Sequence, residues 1–222
     1  MKKWDKLPKE LKLDEVKPYY DILKKKKISR FFTRVFDIFM SFFPLIILSL
    51  FFIIIAIIIK CTSKGPVFYR QVRVTRYNKD FRIFKFRTMV QDADKKGSLV
   101  TTKNDSRVTK IGSFLRKTKL DELPQLINVF LGQMTFVGTR PEVRKYVDGY
   151  TPEMMATLLM PAGITSSASI QYKDEASLIE NASDVDKVYI EKILPDKMKY
   201  NLEDIKKFNF FRQIGLIFKT VL

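Results

Sequence analysis

The hydropathy pattern changes character at residue 38. From Ile38 to Ile59 the chain is uncharged and almost wholly apolar, while both sides are polar and rich in cations. As one helix this run would extend about 33 Å, enough to cross the hydrocarbon core of a bilayer. The flanks argue against a simple crossing. Lys24, Lys25, Lys26, Lys27, Arg30 and Arg34 precede it; Lys60, Lys64, Arg70, Arg73 and Arg76 follow. Short flanks rich in Lys and Arg stay on the cytoplasmic side, so a crossing helix should be asymmetric, and this one is not. A segment that bends and returns would keep both flanks on one side. Pro44, with Ser41 and Ser49 nearby, marks a position for the bend, because proline removes a helix hydrogen bond and a serine can satisfy the freed group. Flanks and proline leave both geometries open, and the symmetry of the flanks sides with re-entry.

After this run the pattern shortens. Gly65-Pro66 reads as a turn leading into a strand, and Tyr77-Asn78-Lys79-Asp80 as a second turn. Phe81 to Met89 alternates as a strand, with Phe81, Ile83, Lys85, Arg87 and Met89 on one face, so two cations point the same way. Within the cation-rich stretch Thr101 to Thr118, Ile111, Phe114 and Leu115 predict a short helix with one buried face. Another helix is predicted to begin near Asp121, with Leu123, Leu126, Ile127 and Phe130 at helical spacing and Pro124 in its first turn. An amphipathic helix is predicted from Leu202 to Leu222. The resulting class is α+β and mainly helical, with a short antiparallel β-hairpin and amphipathic surface helices.

Composition narrows the chemistry. The 222 residues carry a formal net charge of +17, which calls for an acidic partner: nucleic acid, anionic lipid or a phosphorylated substrate. The apolar run favours lipid. There is no histidine, which removes imidazole bases and every Ser-His or Cys-His mechanism. The single cysteine, Cys61, excludes disulfides and multi-cysteine zinc sites. Any metal would be a hard ion held by oxygen, such as Mg²⁺. Met1 to Arg30 is too polar for a cleavable signal peptide.

Asp121-Glu122 is the focus of the chemistry. Adjacent carboxylates at a helix start usually do no more than complement the helix dipole. Here Arg116, Lys117 and Lys119 precede them, and Arg140 follows in Gly138-Thr139-Arg140-Pro141-Glu142. An ionised carboxylate beside a cationic phosphate site could attack phosphorus, with Mg²⁺ and arginines offsetting the repulsion between anions.

From about Arg34 to about Thr220 the chain resembles the monotopic phosphoglycosyl transferases, also called bacterial sugar transferases. The matching stretches are Arg34-Val35-Phe36-Asp37, the run Ser63 to Val74, Phe84-Lys85-Phe86-Arg87-Thr88-Met89 and Asp105 to Gly112. The most specific is Leu115 to Val129, and Phe136 to Glu142 completes the set. The resemblance implies transfer of a phosphosugar from a UDP-sugar to polyprenyl phosphate, usually undecaprenyl phosphate, with release of UMP. It implies Asp121 as nucleophile and metal-associated carboxylate, and Glu122 as its assistant, deprotonating the lipid phosphate. Lys85, Arg87, Arg116 and Arg140 would bind phosphate. It implies an inner-membrane enzyme: a basic N-terminal extension (1–34), a re-entrant membrane helix (35–60) and a small cytoplasmic catalytic domain (61–222), in contact with anionic lipids. Departures from the family's usual residues are Ser49-Leu50 for a Ser-Pro pair, Gln133 for an aspartate, Thr139 for a proline, and Gln213 for a C-terminal aspartate. The segment Pro161 to Ile170 matches a subgroup and is expected to help select the sugar.

Two other readings explain part of the pattern. A non-catalytic, membrane-anchored basic scaffold accounts for the charge and the apolar run, but not for Asp121-Glu122 within ordered motifs. A membrane-tethered nucleic-acid binder would use the cations and phenylalanines, but no helix-turn-helix, RNA-recognition or zinc pattern is present, so no nucleic-acid partner is expected. Sugar identity and oligomeric state are not encoded in these motifs.

Overall fold

The computed structural model describes residues 1–93, 105–173 and 185–221. The basic N-terminal stretch is not a loose tail. Two short 3₁₀ turns, Trp4–Lys6 and Lys9–Leu11, lead into helix α1, Lys17–Lys25. The helix face of Tyr19, Tyr20 and Leu23, together with Leu11 and Val16 before it, is buried against Val74, Ala156, Leu159, Leu202 and Ile205. The extension is thus part of the largest apolar cluster of the body.

The apolar run is two helices. Helix α2, Lys27–Ile47, and helix α3, Ser49–Thr62, meet at Leu48 with a bend of 62°. No single helix among the described residues is long and apolar enough to cross a membrane. Pro44 lies inside α2, four residues before the break, and its carbonyl still accepts the Leu48 N–H at 2.8 Å. Ser41 Oγ donates to Asp37 O at 2.6 Å, an already bonded turn, rather than to the Met40 carbonyl that proline leaves without its helical donor. The bases of both arms rest on the same body. From α2, Arg34 donates to Val129 O and Phe130 O at 2.6 and 2.7 Å, and Asp37 accepts from Phe136 N at 3.2 Å. From α3, Ile55 and Ile59 pack with Phe86 and Leu115. Between them Phe39, Phe43, Ile46, Ile47, Leu50 and Ile53 are exposed.

The body's strands are short and paired. β1 (Phe68–Tyr69) runs antiparallel to β4 (Lys85–Phe86), and β2 (Val72–Thr75) antiparallel to β3 (Lys79–Arg82). The β2–β3 hairpin turns through Tyr77 and Asn78, both at positive φ. The strand expected from Phe81 to Met89 is interrupted, and Asn128 supplies the reason. Its fully buried amide accepts from Phe84 N at 2.8 Å and donates to Arg82 O at 3.0 Å, taking the groups a continuing ladder would need. A third pair, β5 (Met134–Val137) and β6 (Ala162–Thr165), is parallel. It packs Met134 and Ala162 on Phe81, Ile83 and Val129.

Helix α4, Lys110–Lys117, begins at Thr109, whose hydroxyl accepts from Gly112 N at 3.0 Å. Leu115 is buried, but Phe114 is 54% exposed, so the apolar face is narrower than expected. Residues 101–104 of that stretch lie outside the described residues. Helix α5, Gln125–Phe130, is followed by the single turn α6, Arg144–Val147, and by α7, Ser167–Gln171. Val185–Val188 runs through a π turn, Tyr189–Ile193, into α8, Leu194–Lys206. The helix expected from Leu202 to Leu222 breaks at Phe208-Asn209. Asn209 accepts from Phe211 N at 2.9 Å and caps a separate α9, Phe210–Val221.

Candidate active site

Asp121 and Glu122 do not open a long helix. Lys119 adopts a left-handed conformation, φ 58°, which stops α4, and Leu120–Glu122 forms one 3₁₀ turn before α5 starts at Gln125. A six-residue helix starting four residues later supplies little dipole to Asp121. The electrostatics come from side chains.

Those side chains surround a cleft of about 540 Å³ lined by Arg70, Arg73, Lys85, Arg87, Arg116 and Asp121, with Phe68, Tyr69, Phe86 and Met89 as apolar wall. The β1–β4 pair sets Lys85 opposite Tyr69, and α4 carries Arg116. Four of the sequence-derived residues therefore face one space. Glu122 and Arg140 join them through a relay: Lys85 Nζ is 2.6 Å and Arg140 Nη2 3.2 Å from Glu122 Oε1. Lys85 is thus bound to Glu122 rather than waiting, unpaired, for a phosphate.

The two carboxylates have opposite environments. Burial raises the Asp121 pKa, Lys85 opposes the rise and Glu122 adds to it. Burial also pushes Glu122 up, but the charges of Arg140 and Lys85 outweigh it and hold Glu122 well below the usual carboxylate range. Glu122 is a fixed anion; Asp121, 8% exposed, is the more basic of the two.

Arg87 is a buried and only partly satisfied cation. It is 6% exposed, and its Nη2 donates to Ser63 O and Oγ at 2.8 and 2.7 Å. Its Nε and Nη1 have no acceptor among the described residues. A buried guanidinium left half satisfied is costly unless a ligand completes it. Gly65, at φ +118°, leaves room for it: a Cβ there would lie 2.3 Å from Nη1. The sequence pattern shows Gly65 as part of a turn and Arg70 and Arg73 as membrane flanks, but assigns none of them, nor Ser63, to the site. Their presence in the Ser63-to-Val74 motif was the available signal.

Pro161 to Ile170 does not line this cleft. Ala162–Thr165 is β6, and the Gly163 N–H donates to Thr139 O at 2.8 Å. A Cβ on Gly163 would sit 2.1 Å from Gly138 N, so the residue serves close backbone packing.

The Mg²⁺ expectation fits a shared site. No group of three or more His, Cys, Asp or Glu exists among the described residues, so no all-protein cage forms. Asp121 makes no side-chain hydrogen bond to the described residues and can offer one oxygen, with the remainder supplied by substrate phosphates and water, as Mg²⁺ commonly binds.

Comparison with known proteins gives a consistent answer. The family model described as "Bacterial sugar transferase" matches residues 28–222. A Klebsiella pneumoniae protein named UDP-glucose:undecaprenyl-phosphate glucose-1-phosphate transferase is 37% identical over 198 residues, 87% of this chain and 40% of that protein. An Aeromonas hydrophila UDP-N-acetylgalactosamine-undecaprenyl-phosphate N-acetylgalactosaminephosphotransferase is 34% identical over 87% of this chain and 44% of its own length. A Bacillus subtilis protein named as a putative undecaprenyl-phosphate N-acetylgalactosaminyl 1-phosphate transferase is 40% identical over 54% of this chain and 68% of its own. The chain spans about two fifths of the first two relatives. With a match over nearly its whole length after the N-terminal 27 residues, the chain belongs to the bacterial sugar transferase family.

Proposed function

We propose that the protein transfers a phosphosugar from a UDP-sugar to a polyprenyl phosphate and so initiates assembly of a bacterial glycoconjugate. The observation that carries this reading is Arg87: a buried cation with two unused donors, lining the cleft that holds Asp121. A diphosphate supplies the acceptors such a cation lacks.

In the first half-reaction an Asp121 carboxylate oxygen attacks the sugar-linked phosphorus. The bond from that phosphorus to the bridging oxygen breaks, and UMP leaves with the oxygen and its electron pair. In the second half-reaction an oxygen of the lipid phosphate attacks the same phosphorus. The aspartyl–phosphorus bond breaks, giving polyprenyl diphosphosugar and the free Asp121 carboxylate. Burial makes Asp121 a stronger nucleophile than a solvated carboxylate. Arg87, Arg116 and Arg140 offset the charge of the diphosphate. Mg²⁺, held by Asp121 and substrate oxygens, would supply further charge neutralisation when bound. Glu122 anchors Lys85 and Arg140 in place; its depressed pKa supports this role over that of proton acceptor.

The membrane arrangement follows the same reading. Because α2 and α3 both rest on the body, an exposed apolar tip enters the cytoplasmic leaflet of the inner membrane and returns. The ten residues from Ile38 to Ile47 rise about 15 Å, half of the hydrocarbon core. On this reading cations at both bases meet anionic headgroups, and a returning segment would keep Asp121 near the headgroups where a lipid phosphate lies.

The test is UMP release from a panel of UDP-sugars with undecaprenyl phosphate and Mg²⁺, which also identifies the sugar. Without lipid, a phosphosugar mass is expected on the peptide containing Asp121, and Asp121→Asn should lose both adduct and turnover. Robust turnover by Asp121→Asn would refute the assignment.

A further inference from the structure

Two residues beyond Arg140, Glu142 belongs to a buried polar cluster that does not line the cleft and that the chemistry above does not use. Glu142 is 6% exposed, Lys197 4% and Tyr189 4%. The Tyr189 hydroxyl donates to Glu142 Oε1 at 2.6 Å. Lys197 Nζ donates to the Tyr189 oxygen at 3.2 Å and stands 3.9 Å from Glu142 Oε1. Glu142, in the turn after β5, meets Tyr189 of the π turn, 47 residues downstream, and Lys197 of the contiguous α8. Such a cluster is a poor source of stability, because desolvating the charges cancels most of their attraction and well-packed apolar residues serve as well. What it can do is specify one geometry.

The geometry it specifies is that of Arg140. Only Pro141 separates Arg140 from Glu142, and proline fixes its own φ, so the link is stiff. Pro141 O accepts from Arg73 Nη1 at 3.1 Å, and Glu142 O accepts from Val74 N at 3.0 Å. The turn is therefore held on its backbone by β2 and by its carboxylate from the C-terminal helices. Its other end reaches into the site through the Arg140–Glu122 contact. Tyr189 opens a π turn, the kind of one-residue helix insertion that often marks functional sites.

We propose that Tyr189 and Lys197 are positioning residues: through Glu142 they hold Arg140 in its contact with Glu122 beside the cleft. This rests on the reading that the cleft takes a nucleoside diphosphate sugar. It also gives α8 and the π turn a part in catalysis although neither lines the cleft.

The experiment uses the full chain in lipid nanodiscs, with UDP as binding probe and UMP release as the kinetic readout. Tyr189→Phe removes one oxygen and should keep the melting temperature close to wild type. It is expected to weaken UDP about tenfold and lower kcat/KM by a similar factor. Arg140→Ala should also weaken UDP, and Tyr189→Phe should add nothing in that background, because both act through one guanidinium. A variant carrying both Glu142→Gln and Lys197→Met removes the buried charges together. It should fold and show the same loss of UDP affinity. Penalties that multiply in the Tyr189→Phe/Arg140→Ala double variant would overturn the proposal. So would wild-type UDP affinity in either the Tyr189→Phe or the charge-free variant. If wild type binds UDP and only these variants behave normally, this inference alone fails. If wild type binds no UDP and releases no UMP from any donor, the reading of the cleft fails and takes this inference with it.

Discussion

Replacing Glu122 with glutamine separates two roles that are hard to distinguish by position alone. If Glu122 anchors Lys85 and Arg140, its charge matters before any lipid arrives; if it deprotonates the lipid phosphate, only the second half-reaction needs it. Lys85 and Glu122 are 19% and 21% exposed, and their contact is 2.6 Å. A charge-assisted bond of this kind contributes roughly 1.5–3 kcal/mol. The Arg140 contact is longer, 3.2 Å, and Arg140 is 43% exposed, so solvent screening limits it to about 0.5 kcal/mol. Glutamine keeps an acceptor oxygen but loses the charge, so a net loss of roughly 2 kcal/mol is expected, ~30-fold in rate. The sign is reinforced at Asp121. A Lys85 ammonium released from Glu122 pairs with Asp121 instead, and that pairing lowers its basicity and its nucleophilicity. The assay is rapid-quench measurement of UMP and adduct formation with donor alone, then with undecaprenyl phosphate added. Glu122→Gln should slow the donor-only step by ~30-fold. A wild-type donor-only rate, with slowing confined to lipid transfer, would refute the anchor role and restore the base.

Three further outcomes follow from the packing. Gly112→Ala places a methyl 1.9 Å from Thr88 O, a backbone atom that cannot yield cheaply; a loss of about 1–3 kcal/mol is expected in denaturant unfolding, with displacement of Arg116. For topology, single cysteines at Lys26 and Lys64, with Cys61 removed, should both resist an impermeant thiol reagent in intact cells and react after lysis. These exposed sites avoid Ser63, which Arg87 uses, and labelling of Lys26→Cys from outside would show a span. Finally, Arg107 donates to Asp105 and holds its carboxyl down to about 2. Because the folded pKa is depressed, this contribution is complete above the ordinary carboxylate value near 4 and disappears as pH falls toward 2. Asp105→Asn should flatten the fall in stability over that window, and an unchanged acid limb would count against the pairing.

Local pattern alone identified the elements that depend on local physics. The apolar run, the Gly65-Pro66 turn, the short helix around Ile111, Phe114 and Leu115 and the β2–β3 hairpin follow from hydropathy, turn chemistry and short-range hydrogen bonding. The family resemblance carried by the ordered motifs, rather than local pattern, implied Asp121, Glu122, Lys85, Arg87, Arg116 and Arg140 as one chemical set. What these signals could not carry was any effect of a distant partner. The strand through Lys85 and Arg87 is cut by Asn128, 44 residues downstream of Phe84. The bend falls at Leu48 rather than at Pro44, where both arms can rest on the body. The helix dipole offered for Asp121 gives way to side-chain charge, because Lys119 turns left-handed and α5 starts late. The parallel β5–β6 pair, the burial of the N-terminal stretch and the Tyr189–Glu142–Lys197 cluster each join residues far apart in sequence. Periodicity reports which face of an element seeks burial; only the tertiary structure decides which other face, or which buried charge, it meets.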